Sequence, residues 1–171
     1  MKIKIVLFLL CFAGWCLWSC DHLQTYSEIP EIHFKSLSFD WGTDKMAILT
    51  FSFIDGDGDI GVRTPNDPIS KIHYTWYKKS PDMTYEPYQF PKGTIADSSA
   101  IPYSSVMNKD EAQNKTLKGT IQISLFAPDK PQGVDTMRIE FYIVDRASNK
   151  SNVEHTPDFS ILNPPDELRA K

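Results

Sequence analysis

The sequence predicts an all-β protein, an antiparallel β-sandwich of about seven strands, and three observations carry that expectation. Apolar and polar residues alternate in several separate runs. The clearest are Ala47, Leu49, Phe51 and Phe53; Ile121, Ile123 and Leu125; and Met137, Ile139, Phe141 and Ile143. Clusters of Gly, Pro, Asn and Asp divide these runs at the spacing of turns. No long amphipathic helix and no internal repeat interrupts them, so the apolar faces are expected to bury one another as two packed sheets. A closed barrel fits the same periodicity.

Taken in order, the chain of 171 residues begins with a processing segment. Lys2 and Lys4 precede an apolar run, Ile5 to Trp18, that is shorter than the ~20 residues a membrane-spanning helix needs. It reads as the apolar region of a secretory signal. The run ends in Leu17-Trp18-Ser19-Cys20, which resembles the lipobox of bacterial lipoproteins, with Trp18 larger than is usual at its position. The resemblance implies cleavage after residue 19 and acylation of Cys20; an ordinary cleaved signal peptide is the competing reading. Cys11 and Cys16 lie in the discarded part, so the mature chain of 152 residues keeps one cysteine and forms no internal disulfide. Loss of Lys2 and Lys4 takes the formal charge from −4 to −6, which argues against a nucleic-acid partner. Attachment to the membrane then falls to the lipid alone.

Residues 20–30 are polar and aperiodic, the pattern of a tether. A sandwich domain is expected over 31–162 and a polar tail over 163–171. Glu31 to Phe39 alternates loosely, as an edge strand would, and Lys45 to Ile54 is a strong strand. Lys71 to Lys78 is a further strand with Ile72, Tyr74 and Trp76 on one face. A core Trp on a strand at this position is a feature of immunoglobulin-like sandwiches, although here it packs without their disulfide. Between Ser80 and Lys118, four prolines indicate short edge strands and long connections, with a helical turn near Asn108 to Asn114. Gly119 to Phe126 and Thr136 to Val144 resume clean alternation, and Asn152 to Leu162 is expected to close the sheet.

The stretch richest in chemistry is Asp55-Gly56-Asp57-Gly58-Asp59-Ile60-Gly61. Three carboxylates at alternate positions repel one another unless a cation offsets the Coulomb cost. The glycines allow a tight loop that turns the carboxylates inward. Hard oxygen ligands in a flexible loop suit Ca²⁺, with Asp55, Asp57 and Asp59 as ligands. The loop is not an EF-hand, because the sixth and twelfth positions counted from Asp55 hold Ile60 and Asn66, and no helix pattern flanks it. A solvated Asp-Gly turn is the plainer alternative. Three carboxylates leave the Ca²⁺ shell incomplete. In an immunoglobulin-like sandwich the turn before the last strand lies at the same end, which makes Asp145 and Asn149 candidates for the missing oxygens. The plainer alternative is that Asp145 pairs with Arg146 or a neighbouring lysine and Asn149 makes the hairpin turn.

With these residues in view, the chain resembles small lipoproteins of the Bacteroidota. These pair an Asp-Gly-Asp-Gly-Asp-Ile-Gly loop with a late Asp-Arg-Ala-x-Asn-Lys-Ser-Asn segment, here Asp55 to Gly61 and Asp145 to Asn152. The resemblance implies an immunoglobulin-like domain and a cell-envelope address, and adds no activity.

Catalysis finds little support. His22, His33, His73 and His155 are dispersed, no Gly-x-Ser-x-Gly elbow occurs, and the one carboxylate cluster is accounted for by a cation. The expectation is a non-enzymatic binding or structural module, lipid-anchored in the cell envelope. Asp21 after the cysteine lacks the longer acidic export signal seen on surface-exposed relatives, so the resemblance implies an outer-membrane lipoprotein with its domain facing the periplasm. The alternative is an accessory carbohydrate-binding lipoprotein. In that reading Tyr77, Tyr85 and Tyr88 stack on sugar rings, and the partner is an envelope glycan rather than an envelope protein.

Overall fold

The computed structural model describes residues 26–40, 46–61, 71–89, 96–100, 116–127, 133–160, 162–163 and 165–169. Cys20, most of the tether, the segment 108–114 and the loop 62–70 lie outside the described residues. Ten strands are present among those described: β1 (Glu31–Asp40), β2 (Met46–Asp55), β3 (Lys71–Lys79), β4 (Tyr85–Pro87), β5 (Ala96–Ala100), β6 (Leu117–Phe126), β7 (Thr136–Val144), β8 (Glu154–His155), β9 (Phe159–Ser160) and β10 (Glu167–Arg169). The fold is the expected antiparallel β-sandwich. One sheet runs β10-β1-β2-β6; the other runs β4-β3-β7-β8, with β5 also on β3 and β9 also on β7. Chain neighbours β2 and β3 lie in opposite sheets, as do β5 and β6, and β6 and β7. This repeated crossing between sheets is the immunoglobulin-like order.

The alternation in the sequence maps directly onto burial. In β2 every second residue from Ala47 to Asp55 is buried, and in β7 every second residue from Met137 to Ile143. The two stripes face each other across the sandwich, where the rings of Phe51 and Phe141 lie 5.1 Å apart. Trp76 and Phe39 both pack on Phe159, at 6.1 and 5.1 Å between ring centres, and close the other end of the core. Each such ring taken out of water contributes about 1.5–3 kcal/mol, which is how a domain without disulfides holds together. Ile123, expected to face inward, is only half-buried against the core.

Two strands differ from the sequence expectation. β1 is not at the edge of its sheet, because the C-terminal tail returns as β10, with Leu168 opposite Leu37. The closing segment after β7 is also not one strand. It is stitched down by side chains: Thr156 Oγ1 accepts from Ile139 N–H at 3.0 Å and Ser151 Oγ from Ile143 N–H at 3.0 Å. Asn152 reaches the other sheet, accepting from Ile32 N–H at 2.8 Å and donating to Ile32 O at 2.9 Å. The amide thereby stands in for a stretch of backbone ladder and joins the sheets at one edge.

Candidate metal centre

The buried stripe of β2 does not stop at Phe53. Asp55 occupies the next inward position and is 0 % exposed. The stripe of β7 likewise continues past Ile143 to Asp145, which is also buried. Both central strands thus carry their apolar faces to the same end of the sandwich and finish there on an aspartate.

Around Asp55 the chain turns sharply. Asp55 Oδ2 accepts from the N–H of Asp59 at 2.8 Å and of Ile60 at 3.1 Å, which anchors one carboxylate oxygen and turns the other to the loop interior. Gly58 and Gly61 have φ values of 68° and 96°, a region costly for residues bearing a Cβ. Asp55, Asp57 and Asp59 then each offer an oxygen, and these atoms lie within 4.8 Å of one another. Oδ1 of all three is buried, and no hydrogen-bond donor among the described residues reaches it.

Such an arrangement is costly without a cation. At an effective dielectric of about 20, two unit charges 4.8 Å apart repel by roughly 3.5 kcal/mol. Burial, and then the charges of Asp57 and Asp59, accordingly push the Asp55 carboxyl up from 3.8 to about 7. Asp59 is raised as well, first by burial and then by Asp145. The three inward oxygens fit inside a Ca²⁺ coordination sphere, whose Ca–O distances are about 2.3–2.6 Å.

The turn after β7 meets this loop. Ala147 N–H donates to Asp59 Oδ2 at 2.8 Å, Arg146 N–H to Asp59 O at 3.4 Å, and Arg146 Nη1 to Gly61 O at 2.7 Å. The two sequence motifs therefore form one assembly, but Asp145 and Asn149 act within it on each other. Asp145 Oδ1 accepts from Asn149 N–H at 2.7 Å and Oδ2 from Asn149 Nδ2 at 2.9 Å, which closes their own turn. Only Asp55, Asp57 and Asp59 converge as a ligand group among the described residues. Arg146 and the Ala147 amide, which hold the loop in place, were not among the expected site residues. A backbone donor leaves no mark in a sequence, and an arginine beside an aspartate reads as a simple pair.

The three tyrosines do not form one platform. Tyr77 and Tyr85 share the outer face of the second sheet, with the Arg138 guanidinium 3.7 Å from the Tyr85 ring centre and 5.8 Å from that of Tyr77. The Tyr85 hydroxyl is tied to Asp158, which also pairs with Lys79 at 2.9 Å. Tyr88 is drawn away, donating its N–H to Trp76 O at 2.7 Å and packing against the core.

No protein-family model matches the chain, and comparison with curated proteins gives no significant match. Among solved structures, the chain is similar to the crystal structure of wild-type OgpA from Akkermansia muciniphila, at 10% sequence identity and a TM-score of 0.42. That match covers 90% of this chain and 33% of the other, so this chain spans about a third of its length.

Proposed function

We propose that this protein is a non-enzymatic binding or structural module of the cell envelope, held to a membrane by lipid on Cys20, with a sandwich fastened by one Ca²⁺. The observation that carries the cation is the set of three buried oxygens, Oδ1 of Asp55, Asp57 and Asp59, that lack a hydrogen-bond donor among the described residues. Because all three are shielded from solvent, the ion would be enclosed as a structural ion and not presented to a ligand. The lipid anchor rests on the Leu17-Trp18-Ser19-Cys20 segment.

Melting curves test the cation. At a hundredfold excess over Kd, Ca²⁺ stabilises by about 2.7 kcal/mol, a rise of roughly 5–10 °C for a domain of this size. Asp57→Asn abolishes that rise. Identical wild-type curves in Ca²⁺ and in chelator would rule the site out.

A further inference from the structure

Gly56 stands between two of the three ligands, and its need for glycine has a different origin from that of Gly58 and Gly61. A Cβ built on Gly56 would lie 2.4 Å from Ser27 O and 2.5 Å from Tyr26 O, distances that real Cβ atoms do not show. The backbone of the segment leading into β1 lies directly against the ligand loop there. It is bonded to it as well, since Gly56 N–H donates to Ser27 O at 2.8 Å. Ser27, Glu28 and Ile29 are exposed, and Ile29 N–H donates to Ser27 Oγ at 3.0 Å within the segment itself. From the neighbouring strand β6, Lys118 Nζ lies 3.6 Å from the Tyr26 ring centre and donates to the Tyr26 hydroxyl. Thr116 Oγ1 contacts Gly56 O at 3.4 Å from the same side.

We infer that cation binding in the Asp55–Asp59 loop controls the docking of the Tyr26–Pro30 segment, so that Ca²⁺ decides how firmly the start of the domain is strapped to its body. The inference rests on the proposed Ca²⁺ site. The physical link is short: Gly56 is peptide-bonded to Asp55 and precedes Asp57, so its N–H can face Ser27 O only while both ligands are held in the loop's closed form. Without the ion, repulsion among the three carboxylates opens the loop and turns that donor away. The segment then loses its backbone bond from Gly56, and the tether gains the length of the released residues. With the ion bound, chain leaving the anchor enters the domain at a fixed point beside the cation.

The test is cleavage after the exposed Glu28 by a glutamate-specific protease, together with amide hydrogen exchange at Gly56, on the full chain in detergent with Ca²⁺ or chelator, alongside Ca²⁺ affinity from melting shifts. For the wild type, Ca²⁺ should slow both the cleavage and the Gly56 exchange at least tenfold. Gly56→Ala should bind Ca²⁺ within about tenfold of wild type yet be cut after Glu28 at the same rate with and without the ion. Lys118→Met leaves the loop intact, and it should reduce the protection from cleavage while retaining Ca²⁺ affinity, which covers the case in which Gly56→Ala folds poorly. Wild type that binds Ca²⁺ but is cut after Glu28 equally fast in chelator would overturn the strap and leave the cation site standing. Wild type with no Ca²⁺ response at all would overturn both.

Discussion

Replacing Asp55 by Asn should make the cation-free protein more stable at alkaline pH and should remove its response to Ca²⁺. The Asp55 carboxyl is pushed up from 3.8 to about 7 in the folded protein, by burial before all else. Between those two values the native state holds a proton that the unfolded chain has lost. This contribution to stability is therefore greatest at low pH, is lost as pH rises through about 7, and leaves a full penalty above it. Over the whole range the penalty amounts to roughly 4 kcal/mol, of which about 2 kcal/mol develops between pH 5.5 and 8. Asn keeps an oxygen for the N–H groups of Asp59 and Ile60 and turns an amide donor toward Asp57 and Asp59. The stability margin of Asp55→Asn over wild type, measured by urea unfolding in chelator, should thus widen by about 2 kcal/mol from pH 5.5 to 8. His73 acts with the opposite sign, since burial and then Lys71 and Lys150 hold it below its ordinary value, and the stability lost to that burial returns as pH rises. It is common to both proteins, so comparing them cancels it. Ca²⁺ competes with the Asp55 proton, so wild-type stabilisation by Ca²⁺ should shrink as pH falls below 7. A margin that stays flat with pH, or a variant that still gains stability from Ca²⁺, would refute the reasoning.

Phe141→Ala removes a fully buried ring that packs on Phe51 across the sandwich, and should cost about 3–5 kcal/mol in urea unfolding. Thr156→Val keeps the shape of a buried side chain but removes the acceptor of Ile139 N–H; a loss of roughly 1–3 kcal/mol is expected, against none if the contact is incidental. Cys20→Ala should move the protein from the membrane fraction to the soluble fraction, because more than one acyl chain is needed for stable anchoring and no second anchor is proposed. Fractionation of cells expressing the variant checks it.

Much of this architecture can be read from period-two alternation, because β2 and β7 are central strands whose inner faces are buried along their whole length. The same pattern, continued by one step in each strand, assigns Asp55 and Asp145 to inward positions. What alternation cannot convey is pairing by side chains and short polar strands. β10 is three residues, Glu167–Arg169, two of them charged, and its place on β1 is set by tertiary contact rather than by propensity. Asp145 and Asn149 have the right chemistry for a cation, and nothing in the sequence tells that they satisfy each other. Gly56 reads as a turn glycine, whereas its constraint comes from Ser27, far away along the chain.

The meeting of the two loops bears on how long the folded state lasts. Asp59 and Ala147 are 88 residues apart in the chain, and Gly61 and Arg146 are 85 apart. The loops that make these contacts follow β2 and β7, which lie in different sheets, so the contacts need the two sheets to be docked first. Interactions absent from the folding transition state leave the folding rate nearly unchanged and act on the rate of unfolding. An ion enclosed at this junction would therefore act as a latch and not as a template. The chain would reach its native form at the same speed with or without Ca²⁺, and the ion would then set the interval before it next came apart.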